Sequence, residues 1–352
     1  IRRPPRSTPL YSSAASDVYK RQLYDPSSGS FTSEKHTMSA AELNTTGHRN
    51  ALKLACTGVS SAGSGDHAYF YQALEGQDCQ RLLYGTANAK TVTLSFWVKS
   101  SKTGTYTCSV YSVAATNYQI AQEYTISAAN TWEYKTITIT PTAGSTSLIT
   151  SSGGLIADNN GQALTLYFGL LWGSAVTGAA NNTWVAGGTA YGTANQVNWL
   201  DSTSNTFFIT GIQVEVGANA TPFEHKKFQD VVWDCQRYYV IHPQNGLSIN
   251  LPALQNGSSH HVTTVDLPRP MRTTPTVTIT NNNASFCRHN GYQSMSSGVA
   301  FGVNYGTSTN IDDDENALTQ ISVGGSGLSG GSDMHTAGVY TGSTNFKWDA
   351  EL

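Results

Sequence analysis

The sequence predicts an all-β protein: a jelly-roll β-sandwich closed by a short C-terminal helix and followed by a second, smaller β domain. Apolar and polar residues alternate in several short segments, and no long helical pattern lies between them. Gly, Ser, Thr and Asn are abundant, while charged residues make up only 12% of the chain, against roughly 25% in ordinary globular proteins. In one stretch, residues 205–241, the hydrophobic period changes from that of a strand to that of a helix.

The strands of the sandwich are predicted from short alternating segments. Residues 91–99 alternate clearly: the even-numbered positions are apolar and face the core, while Trp97 lies on the opposite, more polar face. Residues 23–50 carry few apolar side chains and are expected to form an irregular lead-in with at most one strand. The other predicted strands cover residues 51–56, 68–74, 106–113, 132–140 and 163–171. Strands at these intervals, without long helices between them, favour a sandwich.

Residues 205–241 are predicted to hold the last strand of the sandwich, a turn and the closing helix. The strand is expected to place its apolar residues on one face, with Thr210 as the polar member of that row; they are Phe208, Ile212, Val214 and Val216. Gly, Asn and Pro within residues 217–222 then end the strand. A helix is predicted over residues 226–239, because apolar residues follow at helical spacing: Phe228, Val232, Cys235 and Tyr239.

These patterns divide the chain into four parts. Residues 1–22 resemble a translated sequencing-adapter read-through, so we expect them to be non-native and disordered and the natural N-terminus to be missing. Residues 23–223 form the jelly roll, residues 224–242 the helix and junction, and residues 243–352 the second β domain. In that domain, strands are predicted at residues 259–267, 275–280, 299–305 and 318–323.

Charge and cysteine content exclude several classes of protein. The net charge of −3 gives no attraction to nucleic acid, and no apolar run approaches the length of a membrane span. The five cysteines are odd in number and form no CxxC pair, which argues against a disulfide framework and against a zinc site. This usage fits a chain that folds in a reducing bacterial cytoplasm.

No arrangement of residues points to catalysis. Glycoside hydrolysis needs two facing carboxyl groups, and no motif ties any of the candidate carboxylates to a partner: Glu75, Asp78, Glu123, Glu133, Asp201, Glu215 and Glu224. Because Glu215 alternates with Val214 and Val216, we expect it to face solvent or to make a structural hydrogen bond. The sequence contains no GxSxG elbow, HExxH motif or P-loop. We therefore predict no catalytic residues and no cofactor.

Metal ligation has one weak candidate. Asp312, Asp313 and Asp314 could supply oxygen ligands to Ca²⁺, but the run lacks the spacing and glycine of an EF-hand loop, which favours a solvated turn. The pair His260 and His261 alternates within a predicted strand, so the two rings point to opposite faces. His225 is expected to hydrogen-bond the backbone at the turn between strand and helix.

Glycan binding is the functional candidate that the sequence favours. Sugar-binding sites combine exposed aromatic faces with amide and hydroxyl groups. The long loop that begins at residue 172 supplies these residue types together: Trp172, Trp184, Tyr191, Trp199, Asn181 and Asn182. A loop of this length in a compact domain is often a binding loop. The alternative is that these large aromatic residues are buried and cap the ends of the sandwich.

Three strings in residues 205–241 carry a family resemblance. ITGIQVEV (residues 209–216), ATPFEH (residues 220–225) and CQRYY (residues 235–239) resemble the signature of a jelly-roll domain, similar to carbohydrate-binding modules, in bacteriophage tail-fibre and tail-associated proteins. TLSFWVKSS (residues 93–101) fits the same pattern, and the resemblance covers about residues 42–241. Lys226 stands where the family often has Arg.

The resemblance implies a virion protein of the phage tail, made in the host bacterial cytoplasm. Its implied partners are host cell-surface glycans and other tail proteins. Fibre proteins of this kind are commonly homotrimers, although the sequence shows no coiled-coil heptads. Neither nucleic acid nor membrane insertion is expected.

Two other functions stay open at this stage. The chain could be a glycan depolymerase or hydrolase in which the jelly roll is accessory, although no carboxylate pair supports this. It could also be a purely structural tail or capsid decoration protein without a glycan site. Adsorption to host cells separates this last reading from a receptor-binding one: it should weaken in Trp184→Ala and Trp199→Ala only if the aromatic loop binds the receptor.

Overall fold

The structure is a computed structural model that describes residues 10–11, 21–24, 29–188, 191–242, 250–256, 260–266, 268–269, 271–272, 276–280, 284–288, 291–294, 300–305, 318–324, 337–341 and 345–349. The chain divides into two units, Ile1–Lys227 and Phe228–Glu351. The described residues contain no helix that is both long and apolar enough to span a lipid bilayer.

The first unit is built almost entirely from strands. In chain order they are β1 (Leu10–Tyr11), β2 (Arg21–Tyr24), β3 (Ser30–Thr37), β4 (Asn50–Gly58), β5 (His67–Glu75), β6 (Val92–Ser100), β7 (Gly104–Ser112), β8 (Tyr118–Ile126), β9 (Glu133–Ile139), β10 (Gln162–Trp172), β11 (Val185–Ala186) and β12 (Thr206–Val216). Two short helices accompany them, α1 (Ala40–Thr46) and α2 (Gly76–Cys79).

These strands form two antiparallel sheets. Sheet A has the order β3-β4-β12-β6-β9, with β1 also paired to β12, and sheet B has the order β11-β8-β7-β10-β5-β2. Buried residues from both sheets form one continuous hydrophobic core. The prediction of a jelly-roll β-sandwich is therefore confirmed. The predicted strands at residues 91–99 and 163–171 match β6 and β10 to within one residue at each end.

Phenylalanine rings fill the centre of the sandwich. Phe70 and Phe168 of sheet B stack with ring centroids 4.9 Å apart, and Phe96 of sheet A meets Phe168 edge-on at 5.3 Å. All three side chains are almost completely buried. The inward parity of residues 92–98 predicted from alternation is thus confirmed, and Trp97 lies on the outer face.

A β-bulge changes which residues of β12 face the core. Its pairing with β6 is regular up to Thr210 and resumes at Gln213, so two residues lie in the bulge. Gly211 within the bulge has φ +61°, a left-handed conformation that glycine adopts without strain. The core-facing residues are therefore Phe207 and Ile209 before the bulge and Ile212 and Val214 after it: the predicted single row through Phe208 and Thr210 is wrong.

The lead-in before β4 is more regular than predicted. It contains both β3 and α1, whereas the sequence was expected to give at most one strand. α1 begins with a capping box: Ser39 Oγ accepts from the Glu42 N–H, and the Glu42 carboxylate accepts from the Ser39 N–H. It ends at Gly47, whose φ of +77° is typical of a helix C-terminus. The Ser-x-x-Glu spacing was the available sequence signal for this helix.

Two short strands lie in or next to the segment that was expected to be disordered. β1 pairs with β12 through Leu10 and Tyr11, and β2 pairs with β5. The expectation of disorder throughout residues 1–22 is thus corrected at residues 10–11 and 21–22. The adapter-like origin of the segment stays a prediction.

The second unit is also mainly β. Its elements are α3 (Phe228–Gln236), β13 (Tyr239–His242), β14 (Asn250–Asn256), β15 (His260–Asp266), β16 (Thr276–Thr280), β17 (Ala284–Arg288), β18 (Gly291–Ser294), β19 (Ala300–Tyr305), β20 (Leu318–Gly324), β21 (Ala337–Thr341) and β22 (Asn345–Asp349). They form one antiparallel sheet of order β13-β22-β16 and another of order β18-β17-β21-β14-β15-β20-β19.

Helix α3 is shorter than predicted and presents a different face. The helix ends at Gln236, three residues before its predicted end, and Tyr239 is the first residue of β13. Within the helix Val231 is 6% exposed, whereas Phe228, the first residue of the predicted apolar row, is 72% exposed. The helix belongs to the second unit rather than to the sandwich.

Candidate functional site

The loop predicted to bind glycans is fastened to the sandwich by two buried tryptophans. Trp184 is 1% exposed, and its Nε1 donates to the carbonyl oxygen of Thr140 at 2.9 Å. Trp199 is completely buried, and its ring meets Phe31 edge-on at 6.2 Å. Neither ring presents a face to a ligand in this conformation, because both fill the ends of the core.

The other predicted aromatic pair lies on the outer face of sheet B. Trp172 and Tyr191 stack with centroids 5.5 Å apart and an interplanar angle of 15°. Tyr191 also meets Tyr167 of β10 edge-on at 5.2 Å. Trp172 is only 5% exposed, so the loop itself covers the ring that the sequence suggested for sugar stacking.

The two predicted asparagines connect the loop to strand β8. Asn181 Oδ1 accepts from the backbone N–H of Glu123 at 3.0 Å, and Asn182 Oδ1 accepts from Gln122 Nε2 at 2.7 Å. Their amide oxygens are thus engaged within the fold. These contacts anchor the loop that carries the predicted residues to the sandwich.

An open cleft lies instead on the outer face of sheet A. Its volume is about 840 Å³, and its walls come from α1, β6, β9, the β12 bulge and the turn after β12. The residues that line it are mostly small, hydroxyl-bearing or aromatic: Thr46, His48, Ser95, Trp97, Tyr134, Thr136, Gly211, Ala218, Asn219, Ala220, Thr221, Pro222, Phe223 and His225. This size suits a small ligand or a few units of a polymer.

Two aromatic rings from neighbouring strands form part of the cleft lining. Trp97 of β6 lies directly opposite Tyr134 of β9, and the ring centroids are 5.3 Å apart with an interplanar angle of 51°. Tyr134 is 44% exposed, and Trp97 is half-buried. Ser95 and Thr136 face each other in the same sheet register, which places hydroxyl groups beside the rings.

The β12 bulge makes room for a histidine in the cleft wall. A Cβ on Gly211 would overlap the His48 ring, lying 3.0 Å from its Cε1. The His48 ring in turn contacts Phe223 edge-on at 4.7 Å and His225 at 5.4 Å. Glycine at position 211 therefore permits both the left-handed backbone and the close approach of His48.

The turn after β12 is fixed by two buried polar residues of that strand. The Glu215 side chain is only 2% exposed. Its carboxylate accepts hydrogen bonds from the Thr221 N–H, at 3.0 Å, and from the Thr221 hydroxyl. Gln213 accepts from the Glu224 N–H at 2.9 Å. The predicted structural hydrogen bond of Glu215 is confirmed. Gln213 and Glu215 hold the backbone at this turn, whereas the His225 ring packs against those of His48 and Phe223.

Helix α1 is fixed to sheet A by a network around Glu42. Lys99 Nζ lies 2.6 Å from Glu42 Oε1, and Trp132 Nε1 donates to the same oxygen at 3.1 Å. Oε2 accepts from the Ser39 N–H at 2.9 Å and lies 3.2 Å from His36 Nε2. Burial opposes ionisation of Glu42, but these hydrogen bonds outweigh it and hold its pKa well below its usual range. The network fixes the first turn of α1, and Thr46 in its last turn lines the cleft.

The cleft has few ionisable side chains. Its lining includes His48 and His225 but no Asp, Glu, Lys or Arg. Burial, with a smaller contribution from His225, lowers the pKa of His48 to about 4, so its ring is uncharged at pH 7. A neutral ligand with hydroxyl groups matches this lining better than a charged one.

Metal ligation finds no support in the described part of the chain. No group of three or more His, Cys, Asp or Glu side chains there is placed to hold a metal ion. Asp312, Asp313 and Asp314 lie outside the described residues. Cys56, Cys79 and Cys108 are buried, and Cys235 is partly exposed.

The sequence predicts a binding loop elsewhere and gives signals only for single residues of this cleft. Alternation places Trp97 on the outer face, and the ATPFEH string contributes residues 220–223 and 225 to the lining. The alternation of β9 is a signal that would place Tyr134 on the same face. His48 carried no sequence signal, because only the bulge of a distant strand makes it part of the cleft.

The comparisons with known proteins give structural neighbours but no sequence family. No protein-family model and no curated protein matches the chain. A family 11 carbohydrate-binding module of the cellulosomal cellulase Lic26A-Cel5E of Clostridium thermocellum matches with TM-score 0.32 and 12% identity, over 62% of this chain and 100% of that one.

Two further solved structures have similar values. A protein described as a family 4 carbohydrate-binding module matches with TM-score 0.28 and 13% identity, over 59% of this chain and 94% of that one. The other is a structure of the CBM22-1 and GH10 modules of Clostridium thermocellum endo-1,4-β-D-xylanase 10B, complexed with xylohexaose. It matches with TM-score 0.26 and 10% identity, over 56% of this chain and 26% of that one. At these values the likeness carries no conclusion about what this chain binds.

Proposed function

We propose that this protein binds glycans without catalysing their cleavage, through the cleft on the outer face of sheet A. The observation that carries the proposal is the pair of rings, Trp97 and Tyr134, side by side in an open cleft of about 840 Å³ whose lining has no Asp, Glu, Lys or Arg.

The chemistry of the lining fits a sugar. The CH groups of a pyranose are weakly positive and are attracted to the negative faces of aromatic rings. Its hydroxyl groups need donors and acceptors at the edges of those rings. Ser95, Thr136 and Asn219 supply such groups in the lining. Two adjacent rings suit two consecutive sugar units better than one isolated monosaccharide.

The same lining argues against hydrolysis as the function. Hydrolysis of a glycosidic bond requires an acid and a base or nucleophile, usually two carboxyl groups. The residues that line the cleft include no carboxylate. The nearby Glu215 is buried and accepts hydrogen bonds from Thr221, so it has a structural role. We therefore infer a binding protein rather than a depolymerase.

We further propose that the glycan lies on the surface of a bacterial host and that the protein is a tail-fibre or receptor-binding component of a phage virion. The support is the sequence resemblance of residues 209–241 to phage tail proteins. Two strings of that resemblance, ITGIQVEV and ATPFEH, build the bulge and the turn that border the cleft. Other tail proteins and a homotrimeric assembly are the partners that this setting implies.

A glycan array with the full chain tests the proposal. We expect binding to a class of neutral glycans, and we expect Tyr134→Ala and Trp97→Ala each to weaken it about fivefold, since a ring contact contributes on the order of 1 kcal/mol. Trp233→Ala, in the other unit and 51% exposed, is the matched control and should bind as the parent does. Absence of binding across the array, or binding unaffected by Tyr134→Ala, would refute the proposal.

A further inference from the structure

The outer face of sheet B combines tyrosine rings with polar side chains. Positions that alternate with core residues such as Phe168 and Cys108 point to this face. It carries Tyr71, Thr107, Ser109, Tyr111, Gln119 and Tyr167. Ring contacts link Tyr71 to Tyr167 at 5.6 Å, and Tyr111 to the loop residue Tyr191 at 6.5 Å.

Part of the long loop crosses this face. We call residues 191–197 the strap. At its start the Ser109 hydroxyl donates to the carbonyl oxygen of Tyr191, and at its end the Val197 N–H donates to the carbonyl oxygen of Thr105 at 2.9 Å. Asn195 Nδ2 donates to Glu123 at 3.0 Å. The Gly192 N–H also donates to the carbonyl oxygen of Val176 at 3.1 Å, and Gln196 Nε2 donates to that of Gly169 at 3.3 Å. The strap thus lies over β7 and β8, held by these hydrogen bonds and by the stacking of Tyr191 on Trp172.

Polar groups on this face and in the strap are buried without partners. Gln119 is completely buried, and neither its amide nitrogen nor its amide oxygen has a hydrogen-bond partner among the described residues. The hydroxyls of Thr107 and Thr193, 0% and 3% exposed, are also unpartnered in the described structure. Burying an amide and two hydroxyls without hydrogen bonds is costly, so their retention needs an explanation beyond packing.

Tyr191 covers the ring of Trp172 on this face. Its ring lies nearly parallel to that of Trp172, at a centroid distance of 5.5 Å, and edge-on to Tyr167. A pyranose ring prefers the same parallel arrangement on a tryptophan. The strap therefore covers the Trp172 ring, and the unused hydrogen-bonding groups of Thr107 and Gln119 lie on the same face of the sheet.

We propose that the outer face of sheet B is a second carbohydrate-binding face, which a neutral oligosaccharide occupies when the strap moves aside. Trp172 and Tyr167 supply the ring faces, and Gln119 and Thr107 supply the hydrogen bonds that the fold leaves unused. The strap is then an intramolecular competitor of the ligand. This inference does not depend on the cleft of sheet A, which lies on the opposite sheet.

Gly192 offers a way to open the strap without changing the face beneath it. A Cβ on Gly192 would lie only 2.7 Å from Cγ of Trp172, so Gly192→Ala should push the strap away from that ring. Gly178→Ala is the matched control in the same loop, because a Cβ there meets nothing within 4 Å. Tyr191→Ala is a second opening variant, since it removes the ring that covers Trp172.

The experiment uses the full chain carrying Trp97→Ala, which weakens the cleft of sheet A. Cellohexaose, xylohexaose, maltohexaose and laminarihexaose are titrated separately, with tryptophan fluorescence and calorimetry as readouts. We expect Gly192→Ala or Tyr191→Ala to bind at least one of these at least tenfold more tightly than Gly178→Ala does. Equal binding by opened and control variants, including no binding by any of them, would overturn the proposal.

Gln119→Met separates a binding role from a packing role. Methionine has nearly the shape of glutamine but no amide, so it removes two unpartnered polar atoms and should raise the melting temperature. In the opened protein it should also weaken oligosaccharide binding at least fivefold. Unchanged binding in Gln119→Met would overturn the assignment of this amide to the ligand. A negative result for the face of sheet B would not affect the proposed function of the cleft of sheet A, because that cleft is tested separately with Tyr134→Ala on the glycan array.

Discussion

Replacing Gly211 with alanine should damage both the fold and the cleft. The residue has φ +61°, and a Cβ there would lie 3.0 Å from Cε1 and 3.1 Å from Cδ2 of His48. Alanine would therefore meet two penalties, one from the left-handed backbone and one from overlap with the ring. The ring cannot withdraw freely, because Phe223 packs against it at 4.7 Å.

The two penalties can be given magnitudes. A left-handed conformation costs a residue with a Cβ roughly 1–2 kcal/mol, and forcing extra volume into a packed site costs about 1–3 kcal/mol. We expect Gly211→Ala to lower the free energy of unfolding by about 3 kcal/mol. For a unit of this size, a loss of that order corresponds to a fall in melting temperature of roughly 6–12 °C.

Gly47→Ala provides the matched control. Gly47 also has positive φ, +77°, but a Cβ there meets nothing within 4 Å. Its substitution should cost only the backbone term, about 1 kcal/mol. The difference between the two variants isolates the contact with His48.

Urea unfolding of the parent, Gly211→Ala, His48→Ala and the double variant measures that contact directly. We expect Gly211→Ala to cost about 1–2 kcal/mol less when His48 is already alanine. Equal costs for Gly211→Ala and Gly47→Ala, or no coupling between Gly211 and His48, would refute the role assigned to the bulge.

Three further outcomes are expected. Glu42→Ala should lower the free energy of unfolding by about 2–3 kcal/mol, because Lys99, whose side chain is only 14% exposed, loses the carboxylate that pairs with it. The control is Glu34→Ala, which removes a 62% exposed carboxylate from its pair with Lys53. It should have a much smaller effect in the same urea titration. Stability should fall as pH drops from about 6.5 to about 4, because His48 protonates in the unfolded chain before it does in the folded one, and His48→Gln should reduce this fall. Glu215→Ala should loosen the turn after β12, weaken glycan binding and speed amide exchange at Thr221.

Each of these outcomes has a result that contradicts it. If Glu42→Ala and Glu34→Ala lowered the free energy of unfolding equally, the network around Glu42 would not be a particular source of stability. An identical fall in stability between pH 6.5 and pH 4 in parent and His48→Gln would assign the effect to other groups. Unchanged exchange at Thr221 in Glu215→Ala would show that this hydrogen bond does not hold the turn.

The sequence by itself determined the strands and the sandwich. Alternation in residues 91–99 gave β6 with the correct inward face, because the period of a strand is a local property of the chain. The Ser-x-x-Glu capping box shows that α1 was also encoded locally, although it was not recognised. Glu215 was assigned a structural hydrogen bond or exposure to solvent, and the structure selects the hydrogen bond with Thr221.

Only the tertiary structure decided which surfaces are open. Trp184 and Trp199 are residues of the kind that binding loops use, yet both are buried at the ends of the sandwich. Burial of such large rings removes much apolar surface from water and so contributes strongly to the free energy of folding. The cleft brings His48, Tyr134 and Phe223 together from distant parts of the chain around a bulge whose position alternation cannot reveal. Local periodicity fixes which way each side chain points, but packing between elements decides which of them meet and which remain accessible to a ligand.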